Sequence, residues 1–165
     1  MDYELIVPYI PNLRRYARAL VGDREGADDL VQDTLERAVR KFHLWRPGDL
    51  RAWLFSIMHN VFINQLKARK IAPHVELDES LSAPIPSVTR ADVMDLQRAL
   101  ATLAPEQREV VLLVALEDMS YADVSRALGI PMGTVMSRLS RGRERLRRAM
   151  EGEAAREPVP LKVVQ

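Results

Sequence analysis

Residues 120–150 are SYADVSRALGIPMGTVMSRLSRGRERLRRAM, and this stretch decides the fold that the sequence predicts. Ser120, with Asp123 three residues later, is typical of a capped helix start. Gly129 ends that helix, because glycine best tolerates the left-handed conformation of a helix cap. Pro131 then opens a second helix. Two helices joined by so short a turn predict a helix-turn-helix.

The second of these helices has two chemically different faces when residues advance by about 100° each. The apolar face, which predicts packing on the preceding helices, carries Val135, Leu139, Gly142 and Leu146. The opposite face carries Met136, Ser137, Ser140, Arg141, Glu144 and Arg148. Arginine can bond guanine through two hydrogen bonds, and serine can reach a base edge or a phosphate. The flanking arginines, which suit phosphate contacts, are Arg138, Arg143, Arg145 and Arg147. A solvated, arginine-rich face is the alternative.

The composition of the 165-residue chain is typical of a soluble globular protein, with 47% apolar and 28% charged residues. An aromatic content of 5% and only seven glycines favour helices over a β-sandwich. The absence of cysteine excludes disulfides, cysteine–zinc sites, iron–sulfur clusters and thiol catalysis. The sequence has neither an apolar run of membrane-spanning length nor a secretory signal pattern, so we expect a cytoplasmic protein without membrane insertion.

No set of residues predicts catalysis. The three histidines, His43, His59 and His74, are isolated and lack metal-ligand spacing. The sequence contains neither a glycine-rich phosphate loop nor a nucleophile-elbow motif. We therefore expect no metal, no other cofactor and no enzymatic activity.

Charge is distributed unevenly although the net charge of the chain is only +1. Residues 1–70 carry a net charge of +3 and residues 131–150 carry +5, whereas residues 71–99 and 100–130 carry −3 each. Two basic blocks separated by acidic ones suggest two contacts with a polyanion. Solvated helix faces would explain the same pattern.

The predicted architecture is all-α, with two small helical domains joined by a flexible linker. Residues 1–70 form the first domain and residues 90–150 the second. Residues 71–89 contain three prolines and no helical repeat, which predicts the linker, and residues 151–165 predict a frayed tail.

Helical periodicity predicts three helices in the first domain. The first ends at Gly22, and its apolar stripe is Tyr9, Leu13, Tyr16 and Leu20. Asp23 caps the second, which spans residues 25–42. Its core-facing residues are Leu30, Val31, Leu35, Val39 and Phe42. A loop over residues 45–49 leads to the third helix over residues 50–70, with a stripe of Trp53, Leu54, Ile57, Met58 and Val61.

Two further helix starts are predicted in the second domain. Thr89 with Asp92 resembles a capping box, and the apolar positions that follow it are Val93, Leu96 and Leu100. Pro105 suits the first turn of a helix over residues 105–116.

Two asparagines stand one turn apart on the predicted third helix. Because asparagine has poor helix propensity, Asn60 and Asn64 suggest a role beyond folding. Their amides can bond base edges or sugar–phosphate oxygens, and Lys67 and Arg69 continue toward a duplex. The alternative is a solvent-facing polar pair, followed by cations that stabilise the helix C-terminus.

Five stretches of the sequence together resemble one protein family. ADDLVQDTLERA at 27–38 and RAWLFSIMHN at 51–60 resemble conserved region two of the extracytoplasmic-function sigma factors. LAPEQREV at 103–110, MSYADV at 119–124 and GTVMSRL at 133–139 resemble region four of the same family. Each motif alone is modest, but together they follow the order of the family and cover most of the chain.

The resemblance implies a sigma factor that directs core RNA polymerase to specific promoters in response to stress. It implies that Asp29, Gln32 and Asp33 dock on the clamp helices of the beta-prime subunit, and that region four contacts the beta flap. An anti-sigma factor that wraps both domains would keep the protein inactive. The polymerase would perform the chemistry.

The resemblance also implies two contacts with promoter DNA. The first domain would melt the minus-ten element and hold a flipped base through Arg46, Gly48, Asp49, Arg51, Asn60, Asn64, Lys67 and Arg69. The last helix would read the minus-thirty-five element through Met136, Ser137, Arg138, Ser140, Arg141 and Arg145. Many relatives carry a basic residue where this chain has Met136, whose side chain suits a thymine methyl group instead.

Two other functions fit parts of the sequence. A free-standing helix-turn-helix regulator would bind duplex DNA without polymerase. A sigma-like decoy would bind an anti-sigma factor by mimicry but would not start transcription. Such mimics usually carry a receiver domain and lack DNA-reading residues, whereas this chain keeps its arginines and has no room for a receiver.

Overall fold

A computed structural model describes residues 2–71 and 90–156 of the chain. This part contains seven α helices and three short 3-10 helices but no β strand, so the predicted all-α class is confirmed. The α helices are α1 (Ile10–Val21), α2 (Arg24–Arg40), α3 (Leu50–Ile71), α4 (Arg90–Ala101), α5 (Pro105–Ala115), α6 (Tyr121–Leu128) and α7 (Met132–Arg156). None of the helices described is long and apolar enough to cross a membrane.

The junction between α1 and α2 forms as the local sequence predicts. Gly22 ends α1 in the left-handed conformation, with φ at 93°. The Asp23 carboxylate then caps α2 by accepting a hydrogen bond from the Gly26 amide at 2.8 Å. The predicted α1 stripe is buried at Leu13, Tyr16 and Leu20.

Helix α2 is shorter than predicted. It ends at Arg40, and Phe42 lies in a separate 3-10 helix. The Phe42 ring packs edge-on against Trp53 of α3, with ring centroids 6.1 Å apart. Phe42 therefore makes its core contact from beyond the end of α2. Val39, predicted to face the core, is 50% exposed, because Ala38 takes the core position in that turn. The prediction for Val39 is therefore wrong.

The third helix and the loop before it agree with the prediction. Residues 45–49 are irregular, and α3 follows from Leu50 to Ile71. The predicted stripe is buried at Leu54, Ile57, Met58 and Val61, and Trp53 is half-buried.

The helices of the second domain also follow local signals, with one exception in α4. Pro105 takes the first position of α5, and α6 spans Tyr121–Leu128 as predicted. Helix α4 packs on the core through Ala99 and Leu100, whereas Leu96 is 44% exposed although its spacing predicted the same stripe. The predicted cap at Thr89 and the linker residues 72–89 lie outside the described residues.

Helix α7 is longer than predicted. It begins at Met132, directly after Pro131, and runs to Arg156, so residues 151–156 are helical rather than part of a frayed tail. Glu151 accepts a hydrogen bond from Arg147 one turn earlier at 2.6 Å. Such i, i+4 pairs extend a helix where the residues are good helix formers.

The two domains pack directly against each other, which the sequence did not predict. Helix α3 lies against α6, and α1 lies against α5. The buried apolar side chains of both domains form one continuous cluster. The two domains, which the sequence predicted as separate units joined by a linker, are therefore in contact in the structure.

Candidate nucleic-acid interface

The turn between α6 and α7 has helix-turn-helix geometry, and both predicted caps are confirmed. Ser120 caps α6 by accepting a hydrogen bond from the Asp123 amide at 3.1 Å. Gly129 closes α6 with φ at 67°. The Ser125 hydroxyl donates to the carbonyl of Ile130 at 2.5 Å, which ties α6 to the turn. These contacts fix the direction in which α7 leaves.

Helix α7 packs closely on α5 through its predicted apolar face. Val135 and Leu139 are buried, and Leu146 is partly buried. A Cβ atom on Gly142 would lie 2.6 Å from Cγ2 of Val111 on α5. Glycine therefore lets the two helices approach this closely, and the approach fixes which face of α7 points outward.

The outward face of α7 is open to solvent. Its exposed members from the predicted reader set are Met136, Ser137, Ser140, Arg141 and Arg145. Arg138 differs from them, because it is half-buried and its charge opposes part of the rise that burial causes in the pKa of Glu109 on α5. Five of the six predicted residues are thus accessible, and Arg138 lies at the edge of the protein interior.

Two arginines of α7 are bonded to glutamates on the same helix. Arg147 donates to Glu144 and to Glu151, both at 2.6 Å, and Arg148 donates to Glu144 at 2.9 Å. These bonds lower the pKa of Glu144. The exposed positive charge that suits phosphates therefore lies earlier in the helix, at Arg141, Arg143 and Arg145.

The loop before α3 is exposed, but two of the predicted residues in this region have structural partners. Its open members are Arg46 and Gly48. Asp49 caps α3, its Oδ1 accepting a hydrogen bond from the Ala52 amide at 3.2 Å. Arg51, in the first turn of α3, donates to the carbonyl of Glu117 in the second domain at 2.9 Å. In this arrangement Arg51 is engaged by the second domain.

A groove between α2 and α3 brings one predicted DNA-binding residue, Asn64, beside one predicted polymerase-binding residue, Asp33. The α3 set is exposed throughout, at Asn60, Asn64, Lys67 and Arg69. The α2 set is also exposed, at Asp29, Gln32 and Asp33. Asn64 lines the groove together with Asp33, whose carboxylate accepts a hydrogen bond from Gln65 at 3.3 Å.

Two glutamates are buried where the domains meet. Glu109 of α5 is 2% exposed, and its carboxylate lies 2.6 Å from Nδ1 of His59 on α3. Burial raises the pKa of the Glu109 carboxyl, although the hydrogen bond with His59 opposes the rise. Glu117, in the loop between α5 and α6, is also 2% exposed. Its carboxylate accepts hydrogen bonds from Asn12 at 3.3 Å and from Arg15 at 3.2 Å.

Arg108 ties the end of α1 to the turn between α4 and α5. Its guanidinium donates to the carbonyls of Leu20 and Leu100, both at 2.8 Å, and of Leu103 at 2.9 Å. Burial lowers the pKa of Arg108, and the three carbonyl acceptors replace part of its lost hydration. Burial also raises the pKa of nearby Tyr16, and the negative charges of the two buried glutamates raise it further.

Two family models match the chain, one in each domain. The "Sigma2 domain of PhyR" model matches residues 6–59, and the "Sigma-70, region 4" model matches residues 94–146. The ECF RNA polymerase sigma factor EcfG of Rhodopseudomonas palustris is 34% identical over 86% of this chain and 80% of its own length. The chain belongs to the extracytoplasmic-function RNA polymerase sigma factors.

Two further comparisons agree with this assignment of the sigma factor. The ECF RNA polymerase sigma factor SigE of Mycolicibacterium smegmatis is 34% identical over 87% of this chain and 59% of its own length. A solved structure of the sigma factor RpoE from Bartonella quintana, in complex with the anti-sigma factor NepR, matches with a TM-score of 0.81 and 32% identity. That match covers 91% of this chain and 97% of the RpoE chain. The family predicted from the five sequence stretches is confirmed.

Sequence reasoning missed the buried glutamates of this sigma factor. Glu109 pairs with a residue 50 positions away, and Glu117 pairs with Arg15, which is 102 positions away. No local pattern connects residues so distant in the chain. The available signal was an apolar run, VVLLVAL at 110–116, with a carboxylate at each end. His59, which has no potential metal ligands near it in the sequence, is the partner of Glu109.

Proposed function

We propose that this sigma factor joins core RNA polymerase, directs it to two promoter elements and opens the downstream one. In this proposal residues 1–70 act as region two, residues 71–89 as the linker and residues 90–150 as region four. One observation carries it: a region-two domain precedes a region-four domain in one chain, and both present exposed polar and basic side chains. The polymerase performs the chemistry in the cytoplasm, and the sigma factor supplies no catalytic group or cofactor.

Region four reads the minus-thirty-five element by laying α7 in the major groove. The readers are Met136, Ser137, Arg138, Ser140, Arg141 and Arg145. Arg141 suits a guanine edge, Met136 suits a thymine methyl group, and Arg145 suits a phosphate. Support comes from the exposure of these side chains on the face opposite the α5 contact, with Arg138 reaching the groove from its half-buried edge.

Region two binds the minus-ten element. The exposed amides of Asn60 and Asn64 contact the separated strand, and Lys67 and Arg69 bind the backbone near the end of α3. The loop before α3 accepts the flipped base, with contacts from Arg46, Gly48, Asp49 and Arg51. Asp49 also orders the loop, because it caps the helix that follows.

The acidic and amide groups on the exposed face of α2 dock on core polymerase. Asp29, Gln32 and Asp33 suit a basic coiled coil such as the beta-prime clamp helices. Region four reaches the beta flap. Because Asp33 and Asn64 line one groove, melting takes place beside the polymerase contact.

An anti-sigma factor keeps this sigma factor inactive until a stress signal arrives. Support comes from the likeness to RpoE, which was solved in complex with an anti-sigma factor. The match of residues 6–59 to a model named for PhyR favours a second candidate, an anti-sigma-binding decoy. The exposed arginines of α7 and the names of the relatives support the sigma factor instead.

Run-off transcription with purified core polymerase on a promoter library tests the proposal. The sigma factor is expected to confer defined start sites without any anti-sigma factor present. A decoy would bind an anti-sigma factor but confer no start sites. A free-standing regulator would shift duplex DNA in the absence of polymerase, and either result would replace the proposed function.

A further inference from the structure

The contact between the domains is built around charged groups. We call six of them the interdomain latch: Arg15, Arg51, His59, Arg108, Glu109 and Glu117. Glu117 is bound by the first domain through both its side chain and its backbone. Arg15 donates to its carboxylate at 3.2 Å, and Arg51 donates to its backbone carbonyl at 2.9 Å. Glu109 and Arg108 extend the latch across α3 and the end of α1.

The loop that carries Glu117 has an unusual backbone. Asp118 has a φ of 54°, the only left-handed non-glycine residue in the described part of the chain. A non-glycine residue in this conformation costs free energy that other contacts must offset. The contacts available to this loop include those that Glu117 makes with region two, so loop conformation and domain closure support each other.

Paired charges suit a contact that forms and parts. A buried ion pair stabilises a contact less than apolar side chains of the same size would, because both ions must lose their hydration. When the domains separate, Glu109, Glu117 and Arg108 recover water, which offsets part of the cost of exposing the apolar side chains that the two domains share. Charged groups at a domain contact therefore favour relative motion more than a purely apolar contact would.

The closed arrangement does not fit promoter binding. The minus-ten and minus-thirty-five elements are separated by about 25 base pairs, roughly 85 Å at about 3.4 Å per base pair. A compact chain of this length has a radius of gyration of only about 15 Å. Its two DNA-reading faces therefore cannot reach both elements while the domains touch, and Arg51, a proposed minus-ten residue, is held by Glu117.

We propose that the interdomain latch holds the free sigma factor in a closed state that cannot read a promoter, and that the latch parts before both promoter elements are bound. The inhibitory meaning of the closed state rests on the proposed function. The closed state itself does not, because it is measurable without polymerase or DNA.

A charge reversal at Arg15 tests the latch with little risk to folding, because that side chain is 53% exposed. Arg15→Glu sets a carboxylate against Glu117, whereas Arg14→Glu makes the same charge change at the neighbouring exposed position of α1. The chain has no cysteine, so dyes attached at Glu25→Cys on α2 and Ala122→Cys on α6 report the separation of the domains. We expect Arg15→Glu to raise the ratio of open to closed molecules by about tenfold, and Arg14→Glu to leave it unchanged.

The rate of transcription initiation tests whether the closed state is inhibitory. At limiting core polymerase and without an anti-sigma factor, Arg15→Glu is expected to start transcription several-fold faster than the parent chain. Glu117→Gln is a second variant that weakens the same contact. The latch is overturned if energy transfer between the two dyes is the same in the parent chain, Arg15→Glu, Arg14→Glu and Glu117→Gln, and if all four have native circular dichroism. Opening without faster initiation overturns its inhibitory role. Opening with no transcription from the parent or the variants overturns the proposed function instead and leaves the closed state standing.

Discussion

Arg141 is exposed on the outward face of α7, next to Gly142, which is buried against α5. Arg141→Ala removes a side chain that suits a two-bond contact with guanine, so we expect minus-thirty-five binding to weaken by about 1–3 kcal/mol. Competition between promoters that differ at single minus-thirty-five positions measures the change. Arg148→Ala is the matched control, because Arg148 is bonded to Glu144 of its own helix. An unchanged promoter preference in Arg141→Ala would remove Arg141 from the reader set.

We expect Glu109 to make the free energy of unfolding depend on pH. Burial raises its folded-state pKa above the ordinary value of 4.5. The stabilising contribution of such a group is complete below the ordinary pKa and is lost as pH rises through the folded-state pKa. The titratable and charged groups that face it are His59 on α3, Tyr16 on α1, Arg138 on α7, and Glu106 and Arg108 on α5.

Glu109→Gln tests this dependence, because it removes the titration and keeps the shape of the side chain. Relative to Glu109→Gln, the parent chain is expected to gain free energy of unfolding as pH falls from neutral toward the ordinary glutamate pKa of 4.5. Denaturant unfolding of both proteins across that range measures the difference. Two curves that stay parallel over the range would contradict the predicted role of the buried carboxyl.

At the scale of the helices, the crossing of α7 over α5 depends on one glycine. Gly142→Ala would bring a Cβ to within 2.6 Å of the stiff, buried side chain of Val111. We expect a loss of stability of about 1–3 kcal/mol from overpacking, reduced by up to about 1 kcal/mol of better helix propensity. Gly133→Ala is the control on the same helix, since nothing lies within 4 Å of its Cβ position. Thermal unfolding compares them, and a Gly142→Ala protein as stable as the control would contradict the packing argument.

The helices that the sequence predicted well are those whose ends carry local signals. The capping residues Asp23 and Ser120 and the left-handed Gly22 and Gly129 each act within a few residues of a helix end, so their effect is visible in the sequence. The end of α2 has no glycine or proline, and Phe42, which the periodicity placed in α2, lies beyond its end and packs on Trp53 of α3. Such tertiary contacts are outside the reach of local patterns.

At the scale of the whole molecule, the sequence predicted two helical domains and most of the exposed side chains of α2, α3 and α7 but not the closure of the domains. Periodicity and charge distinguish the buried from the exposed side of each helix, which is why the exposed members of α2, α3 and α7 were predicted. The contacts across the closed domains include those of Glu109 and Glu117, which pair with His59 and Arg15, respectively, of the other domain. Ion pairs between residues 50 and 102 positions apart produce no periodic pattern in the sequence, so periodicity could not predict them.

The docking of the whole molecule on polymerase is predicted to depend on the charge of α2. Asp33 is exposed at the groove between α2 and α3, where it accepts a hydrogen bond from the neutral amide of Gln65. Asp33→Arg would set a cation against a basic coiled coil, so we expect the affinity for core polymerase to fall more than tenfold. Asp28→Arg is the matched control, because it makes the same charge change at an exposed position on the same helix.

Measurement of core binding by both variants at two salt concentrations separates a local contact from a general effect of net charge. If the contact is local, Asp33→Arg loses binding at both concentrations while Asp28→Arg stays near the parent. Equal losses in the two variants that disappear at high salt would mean that only the overall charge of region two matters. Normal binding by a folded Asp33→Arg would move the polymerase contact to another face, and the groove shared with Asn64 would then serve DNA alone.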